Sequence, residues 1–424
     1  MSQMREAVDV QSARVASNNG SALFVSYDGL TDPLGGSQIL PYVRSIATHP
    51  RKMHVLSFEK PDRYAASGAE LAAQLEQEGI GWTPLTFSRG GKLAKAWDLG
   101  RMYAAALRLV AGQRFSIVHC RSYQAAQVGR LLKKLFGVKI LFDMRGLWVD
   151  ERVDGGIWSR DYRVDRLAYS CYKRIERSLL NSADHVIALT WKVVPELRRL
   201  APKMQASITV IPCCADFMHF AIASTEEKDA IRQQLGIPQD AMVLSYLGSL
   251  GTWYCLEEML ATFATAARTL PNVHMLMITQ DWKPEHDAML ARLGAGLRQR
   301  LHVRTAARTE VPALLGASDV MLSYIKPAYS KMASSPTKLA EAFACGVPAI
   351  CNPGIGDVDE QLESLHAGAL IELGLSSDPD AVKEAIERSL PLGGQQLRER
   401  TKRQLDLGQA VAAYREVYAD LERT

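Results

Sequence analysis

The chain has 424 residues, 47% of them hydrophobic, and 50 Lys+Arg against 46 Asp+Glu give a net charge of +4. That length accommodates two domains of about 200 residues, each with its own core, and places a single-domain reading at a disadvantage. Seven cysteines, mostly inside apolar stretches, with no C-x-x-C pair and one left over in any pairing, fit reduced thiols in a cytosol and argue against a zinc site.

Residues 1–20 are polar and mixed in charge, and read as a disordered leader rather than a secretory signal. Short apolar runs then alternate with helical patterns, which argues for parallel sheets with crossover helices. Strands are expected at Leu23 to Tyr27, Lys52 to Phe58, Ser116 to His119, Lys139 to Phe142, Val186 to Leu189 and Ile208 to Ile211. Helices are expected between them at Ser37 to Thr48, Leu93 to Ala111, Ala125 to Phe136 and Asp161 to Asn181. The pattern restarts with strands at Met242 to Tyr246, His274 to Thr279, Val320 to Tyr324 and Val347 to Cys351, and helices at Leu256 to Thr269, Pro284 to Arg300 and Pro336 to Cys345. The fold class is therefore α/β, two Rossmann-like doubly wound domains facing a cleft, with ligands outside the carboxyl ends of the strands. The expected divisions are a first domain over 21–212, a second over 225–405 and a closing helix within 406–424. No apolar run approaches the roughly 18–20 residues that span a bilayer.

Charge is uneven: between Arg89 and Lys139 eleven Lys/Arg face one acid, Asp98, a candidate surface for anionic lipid or a lipid diphosphate. The turn after the first strand carries Asp28, Asp32, Gly35 and Gly36, where adjacent glycines allow close backbone approach to a ligand. His119 and Arg121 end one strand; Asp143, Arg145, Trp148, Asp150, Glu151 and Arg152 follow the next, more charges than a buried strand end carries by accident. In the second half Gly248, Ser249 and Gly251 stand between a strand and a helix, the arrangement of a phosphate loop.

The segment from Ser334 to Asp357 is the most informative. Ser335 reads as a helix cap and Pro336 as the first helical residue, so free amides and the helix dipole there attract a phosphate. Lys338 adds a positive charge one turn in, exposed in the cleft, and Glu341 on the same face can accept hydrogen bonds from sugar hydroxyls. Diphosphate plus ribose describes a nucleotide, although the same residues also suit an ordinary capped helix with an exposed Lys–Glu pair.

The stretch "SSPTKLAEAFACGVPAICNPGIGD" resembles the nucleotide-sugar signature of the retaining two-domain glycosyltransferases of family 4 (the GT-B fold), in a branch with SPTK in place of the first acid of the Glu, seven residues, Glu pattern. The resemblance implies that Glu341 holds the donor ribose, and that the first Glu falls at Ala333, which has no side-chain chemistry. It implies donor contacts from Gly248, Ser249, Gly251, Arg308, Lys326, Lys331, Ser334, Ser335, Thr337 and Lys338, and from the amides of Gly354 to Gly356, with Asp357 replacing the lost sugar contact. Relatives carry Arg and Lys in the 248–251 loop and this chain has neither, so Lys338, Lys326, Lys331 and Arg308 are expected to supply the charge. Arg121, which stands where relatives have a His, is expected to grip the leaving diphosphate, with Lys338, Asp143 and Arg145 completing the catalytic set. The acceptor side is expected at Asp28, Asp32, Gly35, Gly36, His119, Trp148 and Glu151. "IPCCADFMHF" replaces the family's hinge segment, and Leu407 to Leu421 resembles the terminal helix that crosses back to the first domain.

The resemblance implies transfer of a sugar with retention and no metal or other cofactor, since no Asp-x-Asp motif stands in a suitable position; the nucleotide-diphosphate sugar is a co-substrate. Its acceptor would be a saccharide or a lipid-linked one in bacterial polysaccharide or glycolipid assembly, with no nucleic-acid partner. The expected location is cytoplasmic, peripheral on the inner face of the membrane. An inverting transferase with Asp28 or Asp32 as base, a nucleotide-sugar epimerase and a non-catalytic partner subunit are the alternatives.

Overall fold

The structure, a computed structural model, describes residues 20–47 and 51–423; the leader expected over 1–20 lies outside the described residues except for Gly20. Among the described residues seven strands form the first sheet: β1 (Ser21–Ser26), β2 (Lys52–Glu59), β3 (Gly81–Thr86), β4 (Ile117–Arg121), β5 (Lys139–Asp143), β6 (His185–Ala188) and β7 (Ser207–Val210). Their order is β3-β2-β1-β4-β5-β6-β7, all parallel. The second sheet holds β8 (Met242–Leu247), β9 (Val273–Ile278), β10 (Leu301–Arg304), β11 (Val320–Ser323), β12 (Ala349–Cys351) and β13 (Gly368–Leu370). It runs β10-β9-β8-β11-β12-β13, again parallel. Helices cover both faces, so central strands such as β4 and β9 are buried along their whole length and read as continuous apolar runs.

The helices of the first half are α1 (Pro33–Gln38), α2 (Leu40–Ile46), α3 (Pro61–Gln77), α4 (Lys92–Gly112), α5 (Ser122–Phe136), α6 (Trp148–Asp154), α7 (Arg163–Ser182) and α8 (Val194–Leu200). Those of the second are α9 (Thr225–Leu235), α10 (Leu256–Thr269), α11 (Pro284–Leu293), α12 (Val311–Gly316), α13 (Thr337–Ala344), α14 (Val358–Ser364), α15 (Pro379–Ser389), α16 (Gln395–Leu405) and α17 (Leu407–Arg423). Among the boundaries that differ from the sequence reading, three have a clear bearing on the chain's course. The helix expected over 37–48, whose last residue lies outside the described residues, is two short helices over the rest, because Pro41 has no N–H with which to continue α1. The one expected over 284–300 ends at Leu293, where Gly294 and then Gly296, at φ +79°, turn the chain into a short 3-10 segment. The third is α13, which starts at Thr337 with Pro336 as its cap, one residue later than the pattern suggested.

In each sheet the strand order reverses beside the first strand of that half, at β1/β4 and at β8/β11, and the crevices outside those carboxyl ends face each other. The chain passes between halves twice. Ala215 bridges Asp406 in parallel, with Ala215 N donating to Leu405 O at 3.0 Å and Leu407 N to Ala215 O at 2.8 Å. Past this crossing α17 lays Tyr414, Val417, Tyr418 and Leu421 into the first-half core with Ala22, Phe24 and Tyr42.

The cations of the Arg89–Lys139 stretch do not form one surface. Arg121 is buried, Arg89 pairs with Asp62, Arg101 donates to Thr86 O at 2.7 Å, Arg130 donates to Ser178, and Lys133 pairs with Asp184 at 2.8 Å. Lys92 and Lys95, at the start of α4, stay exposed with no side-chain partner among the described residues. No helix among those residues is long and apolar enough to cross a membrane.

Candidate active site

Two cavities lie in the cleft. One of about 980 Å³ is lined by Asp32, Gly36, Gly248, Ser249, Arg308, Lys338 and Glu341; one of about 910 Å³ by Asp28, Arg121, Arg145, Trp148, Glu151 and Lys331. Leu34, Tyr254, Pro336 and Thr337 line both, so the cavities abut at the start of α13.

In the larger cavity α13 presents Lys338 and Glu341 from one turn. Lys338 Nζ donates to Tyr246 Oη at 3.0 Å and sits 4.1 and 3.8 Å from the ring centroids of Tyr246 and Tyr254. It is buried rather than exposed as expected, and this desolvation lowers its pKa to about 7, against the opposing pull of Glu341. A side chain at Gly248 would come within 3.1 Å of the Lys338 ammonium, so Lys338 brings to the 248–251 loop the charge that the loop itself lacks. In that loop the amides of Ser249 and Gly251 carry no hydrogen bond among the described residues, whereas Gly248 N is held by Ile278 O at 3.0 Å. Arg308 Nη1 lies 3.1 Å from Glu341 Oε1 and above the Phe220 ring. Burial pushes the Glu341 carboxyl above the ordinary glutamate range, and Arg308 and Lys338 pull it back.

The smaller cavity is floored by charges from the ends of β4 and β5. Arg121 Nε lies 3.6 Å from Asp28 Oδ2 and Nη1 3.6 Å from Asp143 Oδ2; Arg145 Nη1 is 3.8 Å from Asp143 Oδ1. Tyr414 Oη donates to Asp143 Oδ2 at 3.2 Å. Burial works to raise the Asp143 pKa, but Arg145, His119 and Arg121 outweigh it and hold the carboxyl at about 2. Arg121 lines the cavity, and its buried Nε has no hydrogen-bond partner, with Asp28 beyond hydrogen-bond reach at 3.6 Å. Arg145 is bent by a left-handed φ of +60° to reach Cys213 Sγ at 3.2 Å and Gln38 Oε1 at 3.4 Å. His119, by contrast, lies within the core between Phe24, Tyr414 and Tyr418, shares a 2.9 Å hydrogen bond with Tyr418 Oη and lines neither cavity, so it is corrected from an acceptor-side residue to a structural one.

The turn after β1 is held by Glu59, whose carboxylate accepts from Leu30 N at 2.8 Å and Thr31 N at 3.0 Å. Gly35 packs so tightly that a side chain there would meet Gly29 O at 2.0 Å, while Gly36 opens onto the larger cavity. Asp32 pairs with Lys60 at 3.0 Å.

Several expected donor contacts instead join the two halves. Ser335 Oγ accepts from Cys213 N at 3.0 Å, so it is not a helix cap, and Lys331 pairs with Glu151 at 3.0 Å and sits over Trp253. Asp357 accepts from Trp191 N and from Lys192 N at 2.6 and 3.0 Å; its carboxylate is taken up by the first half and does not replace a sugar contact. Gly356 N donates to Lys331 O, Gly354 N is held by Asp359, and a side chain at Gly356 would meet Ser334 O at 2.1 Å, so these amides are not a free anion nest. Lys326 is exposed and lines neither cavity. The position of the expected first Glu, Ala333, is buried against the first-half core. Asp357→Ala is expected to speed hydrogen exchange at the Trp191 and Lys192 amides, by about tenfold for two exposed charge-assisted bonds; unchanged exchange would show that the halves hold together without this latch.

The aromatic cradle of Tyr246, Tyr254 and Trp253 and the buried Glu59 were not picked out from the sequence. Tyr246 lies in β8 and looks like core, yet its hydroxyl reaches Lys338; the run of aromatics beside the glycines of "YLGSLGTWY" was the available signal.

Residues 41–214 match the Glycosyl transferase 4-like domain and residues 227–405 the Glycosyl transferases group 1 domain. The chain is 25% identical over 281 residues to WcaI of Escherichia coli, named as a colanic acid biosynthesis glycosyl transferase, covering 62% of this chain and 66% of that protein. It is 26% identical over 265 residues to TuaC of Bacillus subtilis, named for teichuronic acid biosynthesis, covering 61% and 60%. The alignments thus span under two thirds of the length of these relatives. Its fold is similar to that of sucrose-phosphate synthase from Thermosynechococcus elongatus (TM-score 0.71, 16% identity, 96% and 100% of the two chains) and of Anabaena HepE solved with UDP and glucose (0.68, 17%, 95% and 100%). With two matched domains covering about five sixths of it and two facing parallel sheets, the chain belongs to the two-domain glycosyltransferases of GT-B architecture.

Proposed function

We propose that the protein transfers a sugar from a nucleotide-diphosphate sugar to a saccharide acceptor in polysaccharide or glycolipid assembly, with retention, as a member of a family 4 branch in which SPTK replaces the first acid of the motif. The observation that carries this is the convergence of Lys338, Glu341 and Arg308 on one cavity beside the Gly248 loop. Lys338 and the amides of Ser249 and Gly251 would meet the diphosphate; Glu341, exchanging Arg308 for a ribose hydroxyl, would hold the nucleoside. The acceptor would occupy the second cavity, and the shared wall at Tyr254, Pro336 and Thr337 is where the two substrates approach. Arg121, whose buried Nε makes no hydrogen bond and lies 3.6 Å from Asp28, would add charge stabilisation of the departing diphosphate, so that catalysis is positioning plus electrostatics. The names of the curated relatives and the UDP and glucose of HepE support this reading.

Asp28 lines the acceptor-side cavity and is the residue that an inverting reaction would use as base, and the anomeric configuration of the product separates the two outcomes. The first test is thermal stability with a panel of nucleotide sugars, since a bound donor stabilises by RT ln(1 + [L]/Kd). No stabilisation by any of them at millimolar concentration would overturn the proposal. Glu341→Ala is expected to weaken nucleoside diphosphate as well as intact donor, by roughly tenfold or more. Titration calorimetry with the nucleoside diphosphate checks this; equal affinity would return Glu341 to a purely structural pairing with Arg308.

A further inference from the structure

Helix α6 carries Trp148 and Glu151 into the wall of the smaller cavity and is fastened on both sides. Within the first half, Asp150 accepts from Tyr169 Oη at 2.8 Å and from Lys173 Nζ at 2.9 Å; towards the second half, Asp154 accepts from Ser330 N at 2.9 Å. Gly155 ends this helix at φ −84°, a conformation open to any residue, so the backbone does not require glycine there. The space does. A side chain would meet Trp253 Cζ2 at 2.9 Å and Cε2 at 3.5 Å, besides the Glu151 carbonyl oxygen at 2.9 Å. The Lys331 ammonium stands 3.6 Å from the centroid of the same ring, and its 3.0 Å pairing with Glu151 holds it there. Trp253, from the second half, is thus gripped by the end of α6 and by a cation that α6 itself anchors.

Trp253 also belongs to the loop with the free amides of Ser249 and Gly251. Tyr254 N donates to Gly251 O at 3.1 Å and closes a turn with Thr252 and Trp253 at its corners, while Lys326 N donates to Trp253 O at 2.8 Å. The Tyr254 ring lies 3.8 Å from Lys338 Nζ. In a close-packed interior a shift of the indole is passed on to Gly251 and Tyr254. Trp253 lines the smaller cavity and not the larger, and Gly155 lines neither, so an effect of either residue on nucleotide binding has to travel through the loop.

We infer that Trp253 is a positioning residue through which α6, on the acceptor side, sets the loop that meets the diphosphate, so that the state of one cavity alters affinity in the other. The diphosphate contact rests on the glycosyl-transfer reading above; the link from Gly155 through Trp253 to the loop does not.

The test uses the full chain and two measurements: affinity for uridine, guanosine and adenosine diphosphates by calorimetry, and hydrogen exchange at the Tyr254 and Lys326 amides without ligand. Gly155→Ala is expected to lower the affinity of whichever diphosphate wild type binds by about fivefold or more, the usual scale of coupling between sites, and to speed exchange at both amides. Adding Trp253→Phe, whose smaller ring makes room for the methyl group, should return both measurements toward wild type, which a purely structural defect in α6 would not allow. Trp253→Ala alone should reproduce the loss and Trp253→Phe alone should keep most of the affinity; this pair decides the matter if Gly155→Ala does not fold. Wild-type affinity and exchange in Gly155→Ala or Trp253→Ala, or no recovery in the double variant, would overturn the inference. Exchange that responds and recovers as expected in a protein that binds none of the diphosphates would uphold the link and overturn the glycosyl-transfer reading instead.

Discussion

Lys338→Met is expected to raise the melting temperature of the ligand-free protein near neutral pH while lowering its affinity for a nucleoside diphosphate roughly ten- to a hundredfold, the equivalent of about 1.5–3 kcal/mol. Both effects come from one buried ammonium. Its pKa is about 7 in the folded chain and that of an ordinary lysine when unfolded, so between those values the unfolded chain binds more protons and stability rises with pH. Below about pH 7 the full cost of the buried charge is present, partly offset by the rings of Tyr246 and Tyr254. A bound diphosphate would restore the charged form, so affinity should fall as pH rises through about 7, with proton uptake on binding. Calorimetry in buffers of different ionisation enthalpy reads that uptake. A pH-independent affinity would show that the ammonium does not meet the phosphates, and a variant no more stable than wild type would show that its burial costs the fold nothing.

Asp143→Ala should be the most damaging of these substitutions to the fold, by about 3–5 kcal/mol, because it leaves Arg121 and Arg145 buried without their shared carboxylate. The same arrangement fixes an acid limb. The folded pKa of about 2 lies below the unfolded value near 4, so the stabilisation is complete above about pH 4 and is lost as pH falls toward 2. That shift amounts to roughly 2 kcal/mol. Urea unfolding of wild type and variant at neutral and acid pH measures both quantities. A variant within about 1 kcal/mol of wild type at neutral pH would mean that the two arginines are compensated elsewhere.

How far the sequence carried the fold can be seen strand by strand. Buried central strands announce themselves, and α10 was read at its observed ends, Leu256 and Thr269, because its apolar stripe is wide. The strands that went unread, β3, β10 and β13, all lie at sheet edges. β3 includes Pro84, tolerable only where a strand has an open side, and β13 is three residues long. Site residues show the same division. That Lys338 and Glu341 share a face was legible because they stand one helical turn apart, Asp143 and Arg145 stood out because charges crowd the end of a buried strand, and Arg121 was placed by the resemblance. The partners of Asp357 and Lys331 lie 166 and 180 positions away in the chain, and no local pattern contains them.

The return of α17 to the first half also sets an order of events during synthesis. Tyr414 and Tyr418 close the core around His119 and supply a hydroxyl to Asp143, so the amino-terminal half cannot complete its interior when its own last strand, β7, has left the ribosome. At usual elongation rates the wait from Val210 to Leu407 is roughly 10–40 s. For that interval an apolar groove stands open in the nascent chain, and the α/β unit that most proteins of this size would finish first is finished last.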